Sequence, residues 1–193
     1  VIFWATFEQA GGLLNLFADK YTDRSVGAFT VPTGWFQSLN PLFIVLLGLP
    51  FSMLWSRLGE RGKNPATPVK MYLGLAQVAL GFVFLVIAVF EMQRTGDMKS
   101  GMIWLVLGYL FHTTGELCIS PVGLSMVTKL APLRLASLMM GVWFMINFIA
   151  NTLAGYIGAF SENMGEYPWM VSLAADVGVR AEHAGLLGIF GGL

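Results

Sequence analysis

Charge, cysteine and histidine are all scarce in this sequence. The single cysteine, Cys118, in 193 residues excludes an internal disulfide framework. It sits in an apolar run, where a packed thiol is its ordinary role. There are 2 histidines and no CxxC or HExxH spacing, so no metal site is legible. Charged residues make up 11% of the chain and hydrophobic ones 56%. A soluble domain carries about 25% charged residues. The net charge is +0, which removes the general electrostatic case for a nucleic-acid partner.

What remains is apolar. Mean hydropathy is +0.70, and the solvent that suits such a chain is a bilayer. Six apolar segments can be drawn: Val1–Ala18, Gln37–Trp55, Val69–Phe90, Met102–Val127, Leu135–Phe160, and a last one from about His183. Their runs are continuous and do not alternate, which favours helices over strands. The fold class expected is all-α membrane protein. The chain opens at "VIFWATFEQ" and closes at "GLLGIFGGL", both apolar, with no signal-peptide features. We read it as a piece of a longer membrane protein, 1–193 forming one six-helix unit cut within its first and last helices.

Loop charges give an orientation. The loops after the second and fourth segments carry Arg57, Arg61, Lys63, Lys70, Lys129 and Arg134 against Glu60 alone. The other loops carry Lys20, Arg24, Arg94, Lys99 and Arg180. Against these stand Asp19, Asp23, Glu91, Asp97, Glu162, Glu166, Asp176 and Glu182. The positive-inside rule then puts loops 56–68 and 128–134 in the cytoplasm. Pro41, Pro50 and Pro121 lie at or inside segments, where each removes a backbone hydrogen bond and invites a bend. Pro132 breaks the chain in a short loop.

Two acids lie inside the apolar segments. Glu8 shares a helical stripe with Trp4, Phe7, Gly11, Gly12 and Asn15. A carboxylate facing lipid costs about 2.5–3.5 kcal/mol, so it should face a cavity or a cation. Glu116 is near the middle of its segment, with His112 at i−4 and Ser120 at i+4. That placement suits a proton relay or an amine-binding site, and makes His112 a candidate proton partner. Asn40, before Pro41, has the residue type of a helix N-cap. Asn147 and Asn151 are spaced for hydrogen bonds between helices. His112, Glu116 and Ser120 on one face do not make a hydrolase, because no GxSxG stands near them. No enzyme activity is expected.

The fragments "FWATFEQ", "GELCISPVGLS", "KLAP" and "MMGVWF", in this order and spacing, resemble the proton-dependent oligopeptide transporter family. The resemblance implies a major facilitator fold, two six-helix bundles around a central cavity. This chain would be the C-terminal bundle, helices seven to twelve, of a bacterial member. It implies a proton-coupled symporter of the inner membrane that imports di- and tripeptides, with the proton as coupling ion and no cofactor. It implies roles residue by residue. Trp4 and Phe7 would be cavity aromatics, and Glu8 the helix-seven acid of coupling and gating. Asn40 would contact the peptide backbone. Glu116 would receive the peptide amino terminus beside Ser120, and Trp143 would line a side-chain pocket. Its partners would be peptide, lipid and the N-terminal half of the same transporter. That half would hold an ExxER-type motif and a lysine which this chain lacks, so the fragment alone is not expected to transport. The alternatives are another major facilitator, for sugars or drugs, and a non-transporting membrane subunit whose polar residues only join helices.

Overall fold

From Met71 to Phe90 the chain carries no charge, and in the computed structural model this run lies within one helix, Thr67–Thr95. The structure describes residues 1–162, 166–180 and 183–192. Glu182, counted above among the loop charges, lies outside them.

The first segment is two short helices, α1 (Ile2–Phe7) and α2 (Leu13–Lys20), joined by a 3-10 turn at Glu8–Ala10. Gly11 and Gly12 follow that turn, and consecutive glycines make continued helix entropically expensive. The expected stripe from Trp4 to Asn15 is therefore not one helical face. Next come α3 (Thr33–Gln37) and α4 (Leu39–Glu60), then α5 (Thr67–Thr95), α6 (Met102–Leu130) and α7 (Ala136–Glu162). The chain ends in α8 (Pro168–Asp176) and α9 (Ala184–Gly192). The last apolar segment, expected from about His183, is thus preceded by a helix, α8, inside the charged stretch that the pattern assigns to a loop.

Four stretches are long and apolar enough to cross a membrane: Thr33–Glu60, Thr67–Thr95, Met102–Leu130 and Ala136–Phe160. The fold is an all-α membrane fold. Strand structure among the described residues is confined to two-residue pairings in the connections. Thr22–Asp23 (β1) runs parallel to Ser100–Gly101 (β4). Ser25–Val26 (β2) pairs antiparallel with Phe29–Thr30 (β3). Pro50 and Pro121 lie inside α4 and α6, which continue through them.

The most extensive helix pair is α5 with α6, and glycines make it possible. A Cβ on Gly115 would stand 2.7 Å from the Gly74 carbonyl oxygen; one on Gly81 would stand 2.6 Å from His112 Cδ2. The hairpin is tied at its tip. Gly96 takes φ 76°, the left-handed cap that ends α5. Glu91 Oε2 accepts from the Gly101 amide at 3.0 Å and from Trp104 Nε1 at 2.7 Å. Around this pair lies the core, with Phe17, Phe82, Leu85, Met92, Leu105, Tyr109 and Phe190. The outer faces are apolar too, with Val45, Leu49, Tyr72 and Phe148 among the most exposed side chains. In water such a surface would aggregate; against lipid it is at home.

The antiparallel pair also sorts the loops. The α4–α5 connection and the end of α6 meet: Asn64, Pro65, Lys129 and Leu130 line one cavity. At the other end β1 pairs with β4, and the Arg180 amide donates to Gln93 Oε1 at 3.1 Å. Alternate loops thus share an end.

Candidate functional site

Asn40 is the second residue of α4, and its side chain makes no cap hydrogen bond there. It crosses to α6 instead. Its Nδ2 donates to Glu116 Oε2 at 3.0 Å and to Thr113 Oγ1 at 3.2 Å. An amide nitrogen has two hydrogens, and both are used. Thr113 Oγ1 in turn donates to the Tyr109 carbonyl at 2.8 Å. A chain of polar groups thus joins the start of α4 to the middle of α6. Among the described residues Glu116 has no cationic partner, so one Oε2 contact to a neutral amide is what holds it. It is half-buried, as is Ser120 one turn further on.

Glu8 sits in the 3-10 turn between α1 and α2 and is within electrostatic reach of Glu116. Next to it, Gln9 is buried and donates from Nε2 to the Ala154 carbonyl of α7 at 3.2 Å. Tyr109 Oη donates to the Ala10 carbonyl at 3.0 Å. The turn that carries Glu8 is therefore pinned from α6 and α7. Trp4 and Phe7 are in edge contact, ring centroids 5.5 Å apart, on the same short helix.

His112 is placed differently from its helical-face expectation. Its ring packs 4.8 Å from Phe82 and 6.2 Å from Phe7, against the bare backbone of Gly81. It is 1% exposed, and neither ring nitrogen has a hydrogen-bond partner among the described residues. It makes no bond to Glu116. Asn147 and Asn151 also differ: Asn151 Nδ2 donates to the Asn147 carbonyl at 2.9 Å, within α7 rather than between helices.

Trp143 of α7 lies against Gly123 of α6, where an added Cβ would stand 2.3 Å from the ring. The ring is half-buried and borders an apolar cavity of about 310 Å³ with Met126, Val127, Met139, Val142 and Ile146. Thr113, Gln9 and Tyr109 were not singled out by sequence. Thr113 stands three residues before Glu116, a helical neighbour, and that spacing was the available signal.

A polar acid–amide contact held between membrane helices, with aromatic rings nearby, defines a polytopic helical membrane protein with a built polar site. The POT family model (PTR2) matches residues 1–170. The peptide transporter YePEPT of Yersinia enterocolitica subsp. palearctica is 42% identical over 156 residues, which is 81% of this chain and 30% of that protein. The uncharacterized transporter YclF of Bacillus subtilis is 39% identical over 166 residues, 86% of this chain and 33% of that one. A crystal structure of the peptide transporter POT in complex with sulfate aligns with TM-score 0.77 at 34% identity, covering 99% of this chain and 35% of that one. This chain belongs to the POT family. It spans about a third of the length of the relatives it matches.

Proposed function

We propose that this chain is the C-terminal six-helix bundle, helices seven to twelve, of a proton-coupled symporter that imports di- and tripeptides by alternating access. The observation that carries the reading is the Asn40–Glu116 contact. A carboxylate with no cation beside it among the described residues, oriented by a neutral amide, is a ready acceptor for the ammonium of a peptide. Asn40 and Ser120 would meet the peptide beside it, and Trp143 would border a side-chain pocket. Trp4 and Phe7 would be cavity aromatics. Glu8 would pair with a cation of the N-terminal half and let it go as the proton load changes. His112 packs away from Glu116, which supports a packing role rather than a proton partnership. The coupling ion is the proton; no cofactor and no enzymatic step is needed. Membership of the family supports the reading, as do relatives named di-/tripeptide transporter in Lactococcus lactis. The loop charges support an inner-membrane protein with 56–68 and 128–134 in the cytoplasm.

Counterflow of labelled dipeptide into liposomes holding the intact parent protein tests it. Uptake that rises with an inward proton gradient and is competed by unlabelled dipeptides is the expected result. Uptake competed by a sugar but not by dipeptides would overturn it.

A further inference from the structure

At the end of the molecule opposite the β1–β4 pairing, Lys70 is 8% exposed, an unusual depth for a lysine. Its Nζ stands 4.4 Å from the centroid of the Trp55 ring. Among the described residues it has no ion pair or hydrogen bond from that ammonium. It lies in the first turn of α5, where the helix dipole already places partial positive charge. The dipole works against a cation there and the Trp55 ring offsets it, while the positive charge itself stays unneutralised until an anion joins it. Lys70 also borders a cavity of about 630 Å³, and Lys129, from the last turn of α6, borders the same cavity. Asn64, Thr67 and Ser125 add polar groups, and no carboxylate is among the lining residues. Two cations and a helix N-terminus thus converge with no counter-charge among the described residues.

Depth says which anion fits. α5 and α6 are each 29 residues long. At 1.5 Å per residue such a helix is about 43 Å, while the hydrocarbon core is about 30 Å thick. The terminal turns therefore stand in the headgroup layer, and Lys70 and Lys129 are in those turns. The wall between them is apolar, with Val122, Met126 and Leu130. A small free anion gains nothing from such a wall, whereas an amphiphile uses both surfaces. We propose that this cavity binds the headgroup phosphate of an anionic phospholipid, with Lys70 and Lys129 as its charge partners. A zwitterionic headgroup brings its own cation and is disfavoured by the two lysines.

The test is thermal unfolding of the intact parent in mild detergent, with phosphatidylglycerol, phosphatidylcholine of the same acyl chains, or sodium phosphate added at equal concentration. Phosphatidylglycerol should raise Tm by several degrees, because a ligand of the folded state stabilises it, and the other two should not. The Lys70→Gln/Lys129→Gln variant should lose that increment. Lys129 is exposed, so Lys129→Gln alone, which should lose part of it, carries the test if the double variant does not fold. Equal shifts with phosphatidylcholine would overturn the proposal. So would an increment unchanged in Lys129→Gln. A shift reproduced by phosphate would replace the lipid with a free anion. No shift with any of the three would mean that the rest of the protein neutralises the lysines, and would overturn it as well.

Discussion

Glu116 and Asn40 hold each other, and the way they do so decides what a substitution removes. Asn40 Nδ2 donates, so Glu116 needs only an acceptor oxygen at that point. Glu116→Gln keeps an acceptor and the shape but loses the negative charge. In the intact parent it should weaken binding of a dipeptide with a free amino terminus. The lost charge-assisted bond is worth about 1.5–3 kcal/mol net, a tenfold to hundredfold loss of affinity in round terms. An N-acetylated dipeptide carries no ammonium and should lose far less. Affinities of both peptides at fixed pH are the measurement, and equal losses would sink the amino-terminus role. Outside the membrane, Asp23 accepts from Ser25 Oγ and from the Ser25 amide at 3.0 Å. Those bonds, the side-chain one first, hold its carboxyl below the usual value. Its support of the β2–β3 turn is thus present above the ordinary carboxylate pKa, about 3.9, and is lost as pH falls through the lower folded value. A carboxylate resonance of Asp23 titrating at or above the ordinary value would contradict this. Glu116 and Asn40 were legible because polar residues in apolar runs demand a reason. Thr113 was not, because a membrane-helix threonine ordinarily bonds its own helix, as it also does here through Tyr109. The orientation of His112 was hidden for another reason: the space it fills is made by Gly81 on a different helix.

Between helices, glycine does the work that hydrophobic burial cannot do in lipid, since lipid tails are as apolar as side chains. At Gly115 an added Cβ would meet a backbone oxygen, which cannot rotate away, and Val78 Cγ2 at 3.1 Å. At Gly141 in α7 nothing among the described residues lies within 4 Å of an added Cβ. Gly115→Ala should therefore push α5 and α6 apart and destabilise by about 1–3 kcal/mol. Gly141→Ala should be neutral or stabilise by up to about 1 kcal/mol through helix propensity. Thermal unfolding of both variants of the parent in detergent compares them. A larger loss at Gly141 than at Gly115 would refute the packing argument. The same elements mark how far the sequence could be read. α5, α6 and α7 were visible to within a few residues, because uninterrupted apolar runs leave the backbone no alternative to helix. The break between α1 and α2 was not, although Gly11 and Gly12 stood in view, since glycines are tolerated in packed membrane helices. α8 was missed because Pro168 and Asp176 at its two ends read as loop.

For the whole molecule the question is which end faces which compartment. The α4–α5 connection and the α6–α7 turn share one end, with Arg57, Arg61, Lys63, Lys70, Lys129 and Arg134 against Glu60. Each basic residue would gain about 1 kcal/mol near the anionic cytoplasmic surface, which is the ground for the proposed orientation. The opposite end carries the β1–β4 pairing and most of the acids. Lys63 and Lys99 are exposed residues at opposite ends, while Cys118 is buried at 2%. In intact cells expressing the parent, Lys99→Cys should react with a membrane-impermeant maleimide, and Lys63→Cys only after permeabilisation. In a parent whose cysteines outside residues 1–193 are replaced, the protein that keeps Cys118 alone should stay unlabelled in both conditions, because that thiol is covered. Reversed labelling would overturn the orientation while leaving the shared end intact. Labelling of both positions from outside would do more damage, because it would place the two ends of α5 in one compartment and deny that this helix crosses the bilayer.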